Sequence, residues 1–217
     1  MNHNIDHDRE KRIGFPEVIY GASKSVEDIL KILESFIAKG KNALVTKLQH
    51  DKALVLMKEY PKAIYDIPSG VFILSPLKEI KGLSEVAILS AGTSDIHVVN
   101  EVFYTLSFMG VKACRITDVG VAGVHRLLDK VEELRSYKIL IVIAGFEGAL
   151  PTVVGGLLQQ PIIAVPADVG YGVAAGGQVA LNSMLSSCAN GITVVNINNG
   201  YGAAMSALRI LNLINKK

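Results

Sequence analysis

The second half of the chain predicts an α/β fold built on a doubly wound parallel sheet, and two observations carry that reading. Apolar runs of five to seven residues, "VAILS", "VKACRI", "KILIVIA", "PIIAV" and "ITVVNI", alternate with stretches of helical periodicity. Such uninterrupted strands are what a parallel sheet covered on both faces requires. Gly or Pro punctuates the turns between them.

Taken in order, residues 1–12, "MNHNIDHDREKR", mix acidic, basic and His side chains without periodicity and are expected to form a solvated polar arm. After "GFPEVIYG", Ser25 with Glu27 and Asp28 makes a capping-type helix start. Ile29, Ile32, Leu33, Phe36 and Ile37 then recur at helical spacing until Gly40. "NALVTKL" and "VFIL" are expected strands. This segment, 1–82, is a small N-terminal α/β domain of its own. The parallel-sheet domain follows over 83–217, with helical runs at Val98–Phe108, Leu127–Leu134 and Val179–Leu185.

Of the 217 residues 50% are hydrophobic, enough to bury a sizeable core and surface between subunits. The 22 Lys plus Arg against 20 Asp plus Glu are dispersed, which argues against a nucleic-acid partner. No apolar stretch reaches membrane-spanning length. The two cysteines, far apart in sequence, fit neither a metal spacing nor a disulfide framework, and a reducing cytoplasm is the expected compartment.

In a doubly wound sheet ligands bind beyond the carboxyl ends of the strands. That directs attention to "SAGTSD", "TDVGVAGVHR", "AGFEGALP", "PADVGYG" and "NNGYGAA". In the first, Gly92, Thr93, Ser94 and Asp95 enter a helix, where main-chain N–H groups can meet a phosphate; Ser94 or Asp95 could equally cap that helix. Arg126 stands in the opening turn of its own helix, where the dipole disfavours a cation. Its compensating anion is either Asp118 or a ligand phosphate. His125 beside it is a candidate proton acceptor.

Glu147, between Gly145 and Gly148 after a very apolar strand, is awkward as buried packing and suits acid–base work or a cation contact, unless it caps the following helix. "GYGVAAGG" imitates a dinucleotide fingerprint but lacks the acidic residue that should follow it. Cys188, after Leu181 and Leu185, is expected on a helix that Asn190 and Gly191 end. There the negative end of the dipole works against thiolate formation unless a cationic substrate arrives. Helix ends also point away from the strand ends, so Cys188 is either structural or supplied by a neighbouring subunit. Cys114, inside a strand, has the ordinary buried reading.

"TSD" at 93–95, "HR" at 125–126, "IAGFEGALP" and "QQPIIAVP" resemble the ordered blocks of the aminoimidazole ribonucleotide carboxymutases (PurE) of purine biosynthesis. That family has Ser where Gly92 and Gly123 stand, a small residue at Glu147, and Met-Pro in place of Cys188 and Ala189. These departures, with "DREKRIGFPEVIYGASKS" and "SSCANG", resemble the LarB family of nickel-pincer cofactor biosynthesis over nearly the whole chain. The resemblance implies a flavodoxin-like, PurE-like sheet and an octamer. It also implies carboxylation of the pyridinium ring of nicotinic acid adenine dinucleotide by CO2 or bicarbonate, with Mg²⁺, and hydrolysis of its phosphoanhydride. The products are AMP and pyridinium-3,5-dicarboxylic acid mononucleotide. Carried over residue by residue, Cys188 is the nucleophile and Glu147 the active-site carboxylate, while Ser94, Asp95, His125 and Arg126 belong to the blocks shared with the carboxymutases. Two rival readings stand beside it: a purine-pathway carboxymutase, and a non-catalytic nucleotide-binding module with Cys188 in its core and Glu147 as a cap.

Overall fold

A computed structural model describes residues 5–215, and the chain divides into two units, Met1–Glu79 and Ile80–Lys217, against an expected boundary after Gly82.

The first unit runs α1 (Arg9–Ile13), β1 (Ile19–Tyr20), α2 (Val26–Ala38), β2 (Leu44–Thr46), α3 (His50–Glu59), β3 (Ile64–Asp66) and β4 (Val71–Ile73). Its sheet has the order β1-β2-β4-β3, parallel only between β1 and β2. The Ser25 hydroxyl caps α2 by accepting the Asp28 N–H at 3.1 Å. The predicted apolar stripe then buries Ile29, Ile32, Leu33 and Phe36 against the sheet, while Ile37 stays exposed. The expected polar arm is not simply solvated. Residues 1–4 lie outside the described part, but Ile5 packs on this core, His7 Nε2 lies 2.7 Å from Ser35 Oγ, and Arg12 pairs with Asp6. The apolar Ile5, the His7–Ser35 contact and Lys41 donating to the His7 carbonyl hold a sequence that reads as polar on the domain.

The second unit runs β5 (Val86–Ser90), α4 (Ile96–Phe108), β6 (Ala113–Ile116), α5 (Val124–Leu128), α6 (Val131–Leu134), β7 (Ile139–Ala144), α7 (Leu150–Leu157), β8 (Ile162–Pro166), α8 (Gln178–Leu185), β9 (Ile192–Val194) and α9 (Gly200–Ile214). All five strands are parallel in the order β6-β5-β7-β8-β9, which is the flavodoxin-like winding. Because successive strand residues face opposite ways, Ala87, Leu89, Leu140 and Val142 enter the core with Leu127, Leu134, Val154 and Met184 of the helices on one side. On the other side α4 and α9 pack on each other and on the sheet. The buried Glu101 of α4 accepts the Gly200 N–H at 2.9 Å, placing a carboxylate at the N-terminus of α9 where its dipole favours one.

Two expectations change here. The helical run Leu127–Leu134 is split into α5 and α6, because the Asp129 and Lys130 N–H groups bond back to His125 and Leu127 and end the first turn. Cys114 is half-buried rather than buried, because β6 is an edge strand.

Candidate active site

Three loops beyond the carboxyl ends of β5, β6 and β7 enclose a cavity of about 340 Å³. The loop after β5 is braced from within. Ser90 Oγ donates to the Gly92 carbonyl at 3.1 Å, and the Gly92 N–H donates to Asp95 Oδ2 at 2.9 Å. Asp95 is 2% exposed. Burial raises its carboxyl above the ordinary value, with the Gly92 N–H pulling the other way. Asp95 therefore serves the loop rather than capping α4, while Thr93 and Ser94 remain exposed.

The loop after β6 carries Asp118 at φ 61. Asp118 is the anion that compensates Arg126, in a close ion pair to Nη1. One carboxylate occupies part of a five-donor fork, so the half-exposed guanidinium keeps N–H groups for a ligand. It lies across Gly123, where a Cβ would stand only 2.7 Å from Nε. His125, next along α5, is exposed.

The loop after β7 is fixed by main-chain contact. A Cβ on Gly145 would meet the Val169 oxygen at 2.3 Å, and the Phe146 N–H donates to that same oxygen at 2.7 Å. Gly148, at φ 66, lies against Ala180. Glu147 is exposed, because the chain lifts off the sheet at Phe146, whose φ is 51. It caps no helix, since α7 begins from Ala149 without a side-chain cap. Among the described residues it has no hydrogen-bond or ion-pair partner.

Gly92, Ser94, Asp95, Arg126, Gly145 and Glu147 thus line one cavity. Thr93, Asp118, His125 and Gly148 flank it through their neighbours, while Cys188 does not line it. The helix expected to carry that cysteine ends at Leu185, where the Ser186 hydroxyl donates to the Asn182 carbonyl at 2.7 Å and competes with its continuation. Cys188 lies in the turn leading to the amino end of β9, exposed and unpaired. The dipole argument against its thiolate weakens accordingly, since that effect fades within the last turn. On either side, Ser187 Oγ sits 2.7 Å from Thr152 Oγ1, and Ala189 is packed where a Cβ on Gly155 would fall. The turn is therefore held to the flank of α7 with its thiol outward.

Sequence reasoning missed one cluster. His97, in the first turn of α4, meets Asn198 Oδ1 at 3.3 Å and Asp168 Oδ1 at 3.4 Å. The signal was available: Asp168 and Asn198 belong to "PADVGYG" and "NNGYGAA", two segments already singled out at the strand ends. The "GYGVAAGG" segment forms a broken 3-10 stretch, Gly172–Gly177, and does not line the cavity. Among the described residues no group of three His, Cys, Asp or Glu side chains gathers to hold a metal, and no helix is long and apolar enough to cross a membrane.

A parallel sheet with this cavity at its switch point defines a flavodoxin-like domain with a ligand cleft beyond its strand ends. Residues 85–217 match the AIR carboxylase family model and residues 2–76 the LarB/PurE-like N-terminal domain. The chain therefore belongs to the LarB family, among carboxylase- and mutase-type enzymes. It is 38% identical over 220 residues to the uncharacterized protein MJ0165 of Methanocaldococcus jannaschii, covering 98% of this chain and 85% of that one. A crystal structure of a substituted Treponema denticola PurE2 is 26% identical, with a TM-score of 0.51, covering 60% of this chain and 81% of its own. Treponema denticola PurE, at 24% identity and a TM-score of 0.52, covers 60% of this chain and 82% of its own and shares the fold.

Proposed function

We propose that the protein carboxylates the pyridinium ring of nicotinic acid adenine dinucleotide and hydrolyses its phosphoanhydride, releasing AMP and pyridinium-3,5-dicarboxylic acid mononucleotide for nickel-pincer cofactor synthesis. The observation that carries this reading is Glu147, a carboxylate without a partner in a cleft it shares with Arg126. A cationic ring beside an anionic ligand group is the charge pattern such a cleft accepts.

The chemistry assigned to the chain balances. The Cys188 thiolate adds to the ring carbon para to nitrogen, and the new C–S bond turns an electron-poor cation into a neutral dienamine. The neighbouring carbon attacks CO2, forming the C–C bond and returning the positive charge to nitrogen. Glu147 takes the ring proton from the carboxylated carbon. Expulsion of the thiolate then restores the aromatic cation. Arg126 and the 91–95 loop hold the phosphates while water cleaves the P–O–P linkage. His125, outside the cavity, is given no step. Mg²⁺ carried on the substrate's phosphates would neutralise part of their charge and would need few protein ligands.

Because Cys188 and Glu147 are separate within one chain, the thiol reaches the cleft from a second copy, in a homo-oligomer expected to be an octamer. The test combines purified protein, the dinucleotide and bicarbonate, with mass spectrometry of the mixture. The expected result is a ring bearing one added carboxylate, AMP, and a protein adduct at Cys188. Cys188→Ala is expected to lower carboxylation by about three orders of magnitude or more. Carboxylation at an undiminished rate in that variant would falsify the covalent scheme, and turnover of an aminoimidazole ribonucleotide instead would return the chain to the purine-type reaction.

A further inference from the structure

Three carboxyl-end loops meet at one imidazole. His97 Nδ1 lies 3.2 Å from the Ser94 carbonyl oxygen, while Nε2 lies 3.3 Å from Asn198 Oδ1 and 3.4 Å from Asp168 Oδ1. The anchors are themselves placed. Asn198, at φ 55 beyond β9, turns its side-chain oxygen to accept the Asp168 N–H at 3.1 Å. Gly177 crosses so close that a Cβ would come within 2.9 Å of the Ala167 oxygen and 3.1 Å of Asp168 Cα. Both ring nitrogens lie against protein oxygens rather than open space, so the ring is placed to brace these loops and not to reach a water. The ring is instead a strut. On one side it holds the main chain of the 91–95 loop, whose Gly92 and Ser94 line the cavity, and on the other it rests on the loops that follow β8 and β9.

We propose that His97 is the positioning residue of the anion-binding 91–95 loop, with Asp168 and Asn198 as its anchors, and that through this loop it sets affinity for the phosphate-bearing substrate. The affinity part rests on the proposed function; the bracing part does not. Without the strut the loop loses its tie to the two neighbouring loops, and an anion must order it on binding.

Two measurements on the full chain separate these parts. In the ligand-free protein, His97→Phe and, independently, Asp168→Ala are expected to speed hydrogen exchange of the amides of residues 92–95 by about tenfold, while amides in β7 keep their protection. Calorimetric titration with nicotinic acid adenine dinucleotide is expected to show a Kd weakened on the order of tenfold in both variants, with part of the loss restored in His97→Gln, whose amide still donates toward Asp168 and Asn198. Unchanged loop exchange in folded His97→Phe and Asp168→Ala overturns the strut. Faster exchange with unchanged dinucleotide affinity overturns its role in binding. If the wild-type chain has no affinity for the dinucleotide, the proposed function falls, and the exchange result still decides whether His97 braces the loop.

Discussion

The Glu147 loop and the Cys188 turn supply the two reagents of one proposed reaction, yet they are built in opposite ways. The first is locked by main chain: Gly145 against Val169, Gly148 against Ala180, and the Phe146 N–H on the Val169 carbonyl. The second is fastened by side chains, with the Ser187 and Thr152 hydroxyls in contact and Ala189 against Gly155. Rigid placement suits a base that must find one ring hydrogen. An outward thiol on the flank of α7 has nothing to attack within its own chain. In the proposed reaction, the contrast assigns the acid and the thiol to different copies of the chain.

The largest effect that tests this contrast is complementation. Cys188→Ala and Glu147→Ala chains, each inactive alone, are expected to regain about a quarter of wild-type carboxylation per site when subunits are exchanged in equal amounts, since that is the share of mixed sites with both groups intact. Mass spectrometry must show that hybrids formed; hybrids without activity place both groups in one chain and break the comparison. Stability gives the next largest effect. Gly145→Ala forces a methyl into the Val169 carbonyl and is expected to cost about 3 kcal/mol, roughly 10 °C in Tm. Cys188→Ala, at an exposed turn, is expected to stay within about 0.5 kcal/mol of wild type by calorimetry. Equal losses in the two would show that the thiol turn is as tightly built as the acid loop.

Legibility in the sequence follows the same division. The three central strands of the parallel sheet could be read because burial on both faces leaves almost only apolar side chains, as in "ILIVIA", while the edge strands β6 and β9 keep enough of that pattern to show. The capped stripe of α2 was equally plain. What stayed hidden depends on groups distant in the chain or on single local bonds. Helix α8 stops early because Ser186 turns its hydroxyl back on Asn182, which an apolar count through Leu185 does not register. Glu147 stood out as an acid after a buried strand, but its exposure depends on one positive φ at Phe146 that lifts it clear. For Arg126 the dipole argument required an anion and named Asp118 among two choices, and only the fold selected it. His97 was missed because its partners, Asp168 and Asn198, lie 71 and 101 positions later, in strand-end segments that the sequence marks without pairing them to it.

A smaller effect sharpens the role of Arg126 without touching it. Gly123 leaves room for the guanidinium to lie over the main chain, and a Cβ there would crowd Nε and Cζ at 2.7 and 3.1 Å. Because the crowded atoms end a flexible side chain, Gly123→Ser is expected to spare the fold but shift the guanidinium from Asp118. The resulting loss of dinucleotide affinity is expected to be on the order of fivefold, measured by titration, with Tm nearly unchanged. Unaltered affinity would mean that the position of the guanidinium over Gly123 is irrelevant to the substrate.

The smallest effect concerns Asp95, where burial raises the carboxyl above its ordinary 3.8. A folded-state value above the unfolded one means that the native state binds the proton more tightly. The resulting stability is fully present below pH 3.8 and is lost as pH rises through the raised value. Asp95→Asn keeps an oxygen for the Gly92 N–H and removes the titration. Its unfolding free energy, relative to wild type, is expected to improve between about pH 4 and pH 7 by about 1 kcal/mol or less, as measured in denaturant at several pH values. A relative change of the opposite sign would show that the Gly92 N–H outweighs burial in this loop.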